Sequence, residues 1–151
     1  MRRCLTLLTV LLLTLSVAAP AIAAVKNGGR GNDRLIGTSG ADKMNGRGGN
    51  DRLEGRGGAD KLYGAAGDDT LIGEGGGDTL SGGPGNDQLL GGAQADKITG
   101  GSGRDVIIAG GGNDKINADD GQPDQISCGP GRDVVNADSS DTVGSDCERR
   151  G

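Results

Sequence analysis

The sequence predicts an all-β repeat protein, because it combines a short fixed period, a glycine-rich composition and very few large apolar residues. A nine-residue phrase recurs thirteen times between Gly28 and Val143, and each copy joins a glycine-rich turn, an aspartate and a three-residue strand. One clean copy runs from Gly82 to Leu90 and reads Gly-Gly-Pro-Gly-Asn-Asp-Gln-Leu-Leu. Since so short a unit cannot bury an apolar face alone, the copies must stack on one another.

The composition excludes an ordinary globular core. The 151 residues include 33 Gly and one Tyr, and they contain no Phe, Trp or His. Without a period, this much glycine would indicate a flexible linker. The glycines recur in register, which favours an ordered stack, but the thin core requires a further source of stability.

Residues 1–23 have the features of a secretory signal peptide. Arg2 and Arg3 precede an apolar run, and Ala21-Ile22-Ala23 matches a small-x-small cleavage site, so we expect cleavage after Ala23. The alternative is a retained membrane anchor, but the apolar run is shorter than the roughly 20 residues that a span needs. Residues 24–27 would then form a short lead-in to the repeats.

The charge of the chain favours cations as partners. The formal net charge is −5, and loss of Arg2 and Arg3 with the leader would make it −7. An acidic chain is a poor candidate for binding nucleic acid or anionic membranes.

Within each repeat, numbered from one to nine, two positions are constant in character. The first repeat begins at residue 28, and no insertion interrupts the series up to the copy that begins at residue 109. Position eight is always aliphatic or Met, and strand alternation would send it inward while positions seven and nine face outward. Position six is always aspartate: Asp33, Asp42, Asp51, Asp60, Asp69, Asp78, Asp87, Asp96, Asp105, Asp114, Asp124, Asp133 and Asp141.

This pattern resembles the RTX, or hemolysin-type, calcium-binding nonapeptide repeat family, whose signature is G-G-x-G-x-D-x-U-x. The resemblance extends over residues 28–143 and implies a right-handed parallel β-roll (a β-solenoid) of 13 repeats, with two repeats in each turn. It also implies several Ca²⁺ ions bound between loops two repeats apart, with the position-six aspartates as ligands. Stacked carboxylates repel one another, and a hard cation that takes six to eight oxygens relieves that repulsion.

The aspartates divide into two predicted ligand columns. The first column contains Asp33, Asp51, Asp69, Asp87, Asp105, Asp124 and Asp141, and the second contains Asp42, Asp60, Asp78, Asp96, Asp114 and Asp133. Gln94 replaces a position-four glycine, so we expect strain in the loop of Asp96. An insertion before Asp124 and a shortened copy before Asp141 make the pattern weakest at these two residues.

Cys128 and Cys147 remain after removal of the leader, and an even pair in an exported chain predicts a disulfide. We expect this bond to close a C-terminal cap over residues 128–151, where a stack would otherwise expose its open core. Zinc ligation is the alternative, although two cysteines without histidine make a poor zinc site.

The outward positions predict two unlike faces. One face carries an aliphatic row and the other a broken lysine ladder, which favours a rod that meets a protein or apolar partner on one side and an anionic polymer on the other. The alternative is β-propensity on one face and protection against aggregation on the other. The aliphatic row is Ile36, Glu54, Ile72, Leu90 and Ile108, and the ladder is Lys43, Lys61, Thr79, Lys97 and Lys115.

No arrangement of residues predicts catalysis, since histidine is absent and the paired carboxylates are already explained by the metal loops. The sequence therefore predicts a secreted, non-enzymatic calcium-binding protein, folded by Ca²⁺ and serving as a structural or binding module at the cell surface or in the matrix. Its partner would be a cell-surface protein or an anionic polysaccharide, without membrane insertion after signal cleavage. The alternatives are an extracellular calcium buffer with no macromolecular partner and a polysaccharide- or ice-binding surface.

Overall fold

The computed structural model describes residues 22–148. The signal peptide expected over residues 1–23 lies almost entirely outside this range. Within the range, no helix is long and apolar enough to cross a membrane.

Short parallel strands make up the ordered backbone of residues 22–148. The first seven strands are β1 (Val25–Asn27), β2 (Arg34–Ile36), β3 (Lys43–Gly48), β4 (Arg52–Gly57), β5 (Lys61–Ala66), β6 (Thr70–Gly75) and β7 (Thr79–Pro84). The next seven are β8 (Gln88–Gly92), β9 (Lys97–Ser102), β10 (Val106–Gly110), β11 (Lys115–Asn117), β12 (Gln125–Ser127), β13 (Val134–Asn136) and β14 (Thr142–Val143).

The strands form two seven-stranded sheets. The first sheet has the order β1-β3-β5-β7-β9-β11-β13, and the second has the order β14-β12-β10-β8-β6-β4-β2. The chain thus alternates between sheets at every repeat, and two repeats complete one turn, as in a β-roll. In the regular part each strand residue pairs with the equivalent residue two repeats later, so that Leu53 pairs with Leu71 and Leu71 with Leu89.

The core between the sheets is a single file of position-eight side chains, as the alternation predicts. From Met44 to Ile107 these side chains are at most 1% exposed. Leu35 and Val143 lie at the two ends of the file and are only partly buried. Each interior side chain is therefore covered by the turns above and below it, which is why a single repeat cannot be stable alone.

The predicted lead-in is part of the stack. Val25, Lys26 and Asn27 form β1, which pairs with β3, so the roll has fourteen strands for the thirteen repeats expected from the motif. Lys26 lies in register with Met44, at an inward position. Its Nζ donates a hydrogen bond to the Ile36 carbonyl, which gives the ammonium one partner at the N-terminal end of the core.

Position one of the repeat is also inward-facing, because it lies two residues after position eight on the same strand. Gly46, Gly55 and Gly64 are buried at this position. In the C-terminal repeats a side chain takes the place of the glycine hydrogen, and Ala109, Ala118 and Cys128 join the core with at most 1% exposure. The C-terminal turns consequently have two core side chains per repeat where the earlier turns have one.

Candidate metal centre

The position-six aspartates are the most deeply buried charged residues that the structure describes. Eleven of the thirteen are at most 3% exposed, while Asp33 and Asp141 at the two ends are half-buried. Burial of this many carboxylates without counter-charges is unfavourable unless each is paired or coordinates a metal. The position of the aspartate, between the glycine turn and the strand, holds every carboxylate at the same point of its turn.

The carboxylates form the two columns that the repeat spacing predicts. In each column the backbone N–H of one aspartate donates to Oδ1 of the aspartate in the following turn, with N···O distances of 2.7–2.9 Å. This bond fixes the carboxylate plane and uses only one of its two oxygens. The other oxygen, Oδ2, is left to a different partner.

For most of the column, Oδ2 has no partner within the described chain. The atom is buried and makes no hydrogen bond in ten aspartates: Asp51, Asp60, Asp69, Asp78, Asp87, Asp96, Asp105, Asp114, Asp124 and Asp133. Buried polar atoms are almost always satisfied, so a repeated orphan at one position of the motif indicates an absent ligand.

In seven of the ten repeats with an orphaned Oδ2, a position-one glycine provides the space beside that oxygen, whereas Ala109, Ala118 and Cys128 hold this position in the other three. A Cβ placed on Gly64 would lie 2.8 Å from the Gly82 carbonyl oxygen and still closer to Asp69 Oδ2. The same convergence occurs at Gly73, where the neighbouring atoms are the Gly91 carbonyl oxygen and Asp78 Oδ2. A carboxylate oxygen and a carbonyl oxygen from the next turn therefore converge on one point, and two acceptors facing each other require a cation or a donor between them.

The electrostatics of the columns agree with that requirement. Burial raises the pKa of Asp87 to about 7 and the pKa of Asp60 and Asp78 to about 6. Repulsion from the aspartates of adjacent turns adds to the rise, and the backbone hydrogen bond to Oδ1 opposes it. Ionisation of the buried aspartates is therefore unfavourable in the metal-free columns, and a bound cation would stabilise the ionised form.

The donor set fits a hard, oxygen-preferring cation. The loops offer carboxylate and carbonyl oxygens, and histidine is absent from the chain. Among residues 22–148, no three His, Cys, Asp or Glu side chains are close enough to hold a metal by themselves. Because each turn contributes one carboxylate to a column, a metal here would need backbone carbonyls to complete its shell, which calcium accepts readily.

The ends of the columns differ from the middle. Asp33 Oδ2 accepts a bond from Gly29 N–H at 2.6 Å, and Asp141 Oδ2 accepts one from Asp138 N–H at 2.8 Å. Asp42 Oδ2 likewise accepts hydrogen bonds from the backbone N–H and the hydroxyl of Thr38. Asp124, which follows the insertion, keeps the regular arrangement, whereas Asp141 does not. The terminal aspartates therefore present less free oxygen than the interior ones.

The loop of Asp96 is not strained in the way that the sequence suggests. Gln94 does not adopt a positive φ, although the equivalent position-four glycines Gly85 and Gly103 have φ values of 146° and 133°. The Gln94 side chain has a role of its own, because its Oε1 accepts a bond of 2.7 Å from Gly76 N–H in the preceding turn.

A second ladder accompanies the first aspartate column and was not predicted. At position five, the side-chain oxygens of Asn32, Asn50, Asp68 and Asn86 each accept the backbone N–H of the next turn, at 2.8–3.1 Å. The second column has Ala41, Ala59, Gly77 and Ala95 at the same position, and there the bond occurs near the C-terminal end, where Asn113 accepts from Arg132 N–H at 3.0 Å. Sorting position five by alternate repeats would have found this difference between the two edges of the roll.

The C-terminal end is closed by the predicted disulfide. Cys128 and Cys147 are bonded, with their Cα atoms 5.3 Å apart and a sequence separation of 19. Cys128 occupies position one of its repeat and is fully buried, so the bond ties the last residues directly to the core.

The two outer faces carry the rows that the sequence predicts. In the first sheet Lys43 pairs with Lys61, and Lys97 pairs with Lys115. In the second sheet Ile72 pairs with Leu90 and Leu90 with Ile108, which is 46% exposed.

Comparison with protein families identifies the repeat. The family model for the RTX calcium-binding nonapeptide repeat matches four times, over residues 27–62, 54–89, 63–98 and 90–123. No curated protein matches the sequence. The matched region contains most of the aspartates of both columns and ends at residue 123, within the repeat that carries the insertion.

Proposed function

Since the chain belongs to the RTX calcium-binding nonapeptide repeat family, we propose that it is a secreted β-roll folded by Ca²⁺ and used as a non-enzymatic structural or binding module outside the cell. The observation that carries the proposal is the set of ten buried Oδ2 atoms without a partner. Bound Ca²⁺ would supply the positive charge that these oxygens and the facing turn carbonyls lack.

The two carboxylate oxygens of each aspartate and the position-one glycine have different roles in the proposed calcium site. Oδ1 of each aspartate holds the next turn through its backbone N–H, and Oδ2 is the oxygen offered to the ion. Where position one is glycine, it keeps side-chain atoms out of the site and a carbonyl oxygen lies close to Oδ2, as at Gly64 and Gly73. We assign all thirteen aspartates as candidate ligands and place the interior ten, which have a free Oδ2, ahead of Asp33, Asp42 and Asp141.

Two further features support a role outside the cell. The apolar leader that ends near Ala23 is typical of secretory export. The Cys128–Cys147 bond is a type of cross-link that persists in oxidising compartments. A chain with so few core side chains would remain unfolded where calcium is scarce and fold where it is plentiful.

The test is a calcium titration of the mature chain, from Ala24 onward, followed by far-ultraviolet circular dichroism. We expect little β signal in chelator and a cooperative gain with Ca²⁺, while Mg²⁺ at the same concentrations gives much less because it demands stricter geometry. A β signal that is complete in chelator would refute the proposal.

A pair of matched variants locates the effect in the columns. Asp78→Asn keeps the size of the side chain and an oxygen for the Asp60 N–H, but it removes the charge from a buried site. We expect the calcium concentration at the folding midpoint to rise about fivefold, equivalent to about 1 kcal/mol. Asp68→Asn is the control, because it makes the same change at an exposed position where neighbouring turns already carry Asn50 and Asn86. An equal shift in both variants would contradict the assignment.

A further inference from the structure

The outer face of the first sheet carries four lysines in a line. Lys43, Lys61, Lys97 and Lys115 are all exposed and occupy equivalent positions on successive strands of that sheet, with Thr79 in the middle place. Neighbouring strands lie about 4.8 Å apart, so the row extends for about 19 Å along the axis of the roll. The row is two adjacent lysine pairs separated by one neutral residue.

These lysines are not neutralised by the rest of the described chain. Within residues 22–148 the salt bridges are those of Arg34 and Arg52 with Glu54, and all three of these residues belong to the second sheet. The outward positions seven and nine of the first sheet contain no Asp or Glu, whereas Asp119, just beyond β11, contacts this face by accepting a hydrogen bond from Asn136 Nδ2 at 3.4 Å. A protein with a net charge of −5 therefore concentrates four unpaired positive charges on one face.

Beside the lysines runs a column of hydrogen-bonding side chains. The outward position nine of the same strands carries amide and hydroxyl groups throughout: Asn27, Asn45, Tyr63, Ser81, Thr99, Asn117 and Asn136. Around the second lysine pair this face has a shallow depression of about 150 Å³, whose exposed surface is almost entirely apolar. It is lined by Lys97, Ile98, Thr99, Lys115, Ile116, Asn117, Val134 and Asn136. Lysines and hydrogen-bonding residues thus border an apolar hollow at one place on the face.

We propose that the outer face of the first sheet binds a linear carboxylated polysaccharide that lies along the roll axis, with the Lys97–Lys115 depression as its main subsite and the Lys43–Lys61 pair as a second. This proposal rests on the proposed function, because the lysines are brought into line only in the calcium-folded state. The ammonium groups match sugar carboxylates, and the adjacent amides and hydroxyls match sugar hydroxyls.

The chemistry of the face favours a sugar polymer over nucleic acid. Proteins that bind single strands stack bases on several aromatic side chains, and this face has one aromatic residue, Tyr63. A duplex with its high charge density would also be repelled by the overall negative charge of the protein. The uncharged Asn, Ser and Thr column is better suited to neutral hydroxyl groups.

The experiment measures binding of fluorescent oligogalacturonate and hyaluronan, both too short to gel with calcium, to the calcium-saturated mature chain. We compare Lys97→Gln/Lys115→Gln with Arg34→Gln/Arg52→Gln, which removes the same two charges from the opposite sheet. We expect the dissociation constant to rise about tenfold in the lysine variant and to stay within about twofold in the arginine variant. Raised salt should weaken wild-type binding, because the contacts are exposed charges.

Three outcomes would overturn the proposal: no binding of either oligosaccharide, equal losses in the two double variants, or tighter binding of single-stranded DNA of similar length. The calcium midpoint of each variant is measured in the same samples by circular dichroism. An unchanged midpoint with lost binding separates the polysaccharide site from the folding role, and a wild-type chain that fails to fold with calcium contradicts the proposed function and this inference together.

Discussion

At position two of the repeat, four consecutive copies place a non-glycine residue in the left-handed region of backbone space. Arg47, Arg56, Ala65 and Glu74 have φ values of 71–80°. For a residue with a Cβ this conformation costs roughly 1–2 kcal/mol. The strand pairs that continue through these residues, such as Arg56 with Glu74, hold the backbone in place despite that cost.

Replacement of one such residue should therefore stabilise the roll. We expect Arg56→Gly to raise the free energy of unfolding by about 1 kcal/mol at fixed calcium, measured by urea denaturation. Arg104→Gly is the control, since Arg104 is exposed and is not among the residues with positive φ. There the added chain entropy of glycine should lower stability by about 0.5–1 kcal/mol. Stabilisation of both variants, or of neither, would contradict the strain argument.

At the level of the elements, both aspartate columns make the stability of the folded roll depend on pH. The sign of that dependence should differ between the metal-free and the calcium-bound chain. In the metal-free chain, burial raises the pKa of Asp87 to about 7 and of Asp96 and Asp124 to about 6, all above their value of 3.8 in an unfolded chain. The folded state then binds more protons than the unfolded state between these values. Its stability accordingly increases as pH falls from about 7 toward about 4, and it is lost as pH rises through the folded pKa.

Calcium should reverse this dependence, because ligands must be deprotonated to hold the ion. We expect circular dichroism in chelator to show more β structure at about pH 5 than at about pH 7.5, and the calcium midpoint to rise over the same acidification. A dependence of the same sign in both conditions would show that the columns are not the titrating sites. Asp87→Asn should weaken the response in chelator, because it removes one of the aspartates whose pKa is raised.

The columns also show what the sequence could and could not predict. Because the repeats have a constant length, the sequence alone shows which aspartates lie one turn apart, and both columns could be predicted. The aliphatic residue at position eight likewise identified the core. Strand β1 was missed because Lys26 occupies the inward position, where the pattern calls for an aliphatic residue. The inward orientation of position one was missed because glycine has no side chain to contribute to the apolar pattern. Only Ala109, Ala118 and Cys128 show that the position-one residues face the core.

For the molecule as a whole, the C-terminal end is stabilised differently from the rest. There the position-one methyl groups and the disulfide add to the core, whereas the N-terminal end terminates in β1 and a partly buried Leu35. The interior turns between them depend on the aspartate columns. Removal of calcium should consequently affect the two ends unequally.

Loss of the disulfide should destabilise the whole roll. We expect Cys128→Ala/Cys147→Ala to lower the free energy of unfolding by about 3 kcal/mol at saturating calcium and to raise the calcium midpoint. Alanine suits the site, since Ala109 and Ala118 already occupy the equivalent position. Reductant should destabilise the wild type in the same way and leave the variant unchanged. A variant as stable as the wild type would contradict a capping role for the bond.

The register of one turn per two repeats has a mechanical consequence. A turn of the regular region adds about 4.8 Å to the length of the rod, yet the same residues pulled straight extend for about 60 Å. Tension on the ends would release this hidden length one turn at a time, beginning where β1 closes the stack with no further turn of described chain beyond it. The cross-link between Cys128 and Cys147 withholds the final turn from extension. The roll is thus a compact store of contour length, which the disulfide anchors at one end and which, under the proposed function, calcium would rewind.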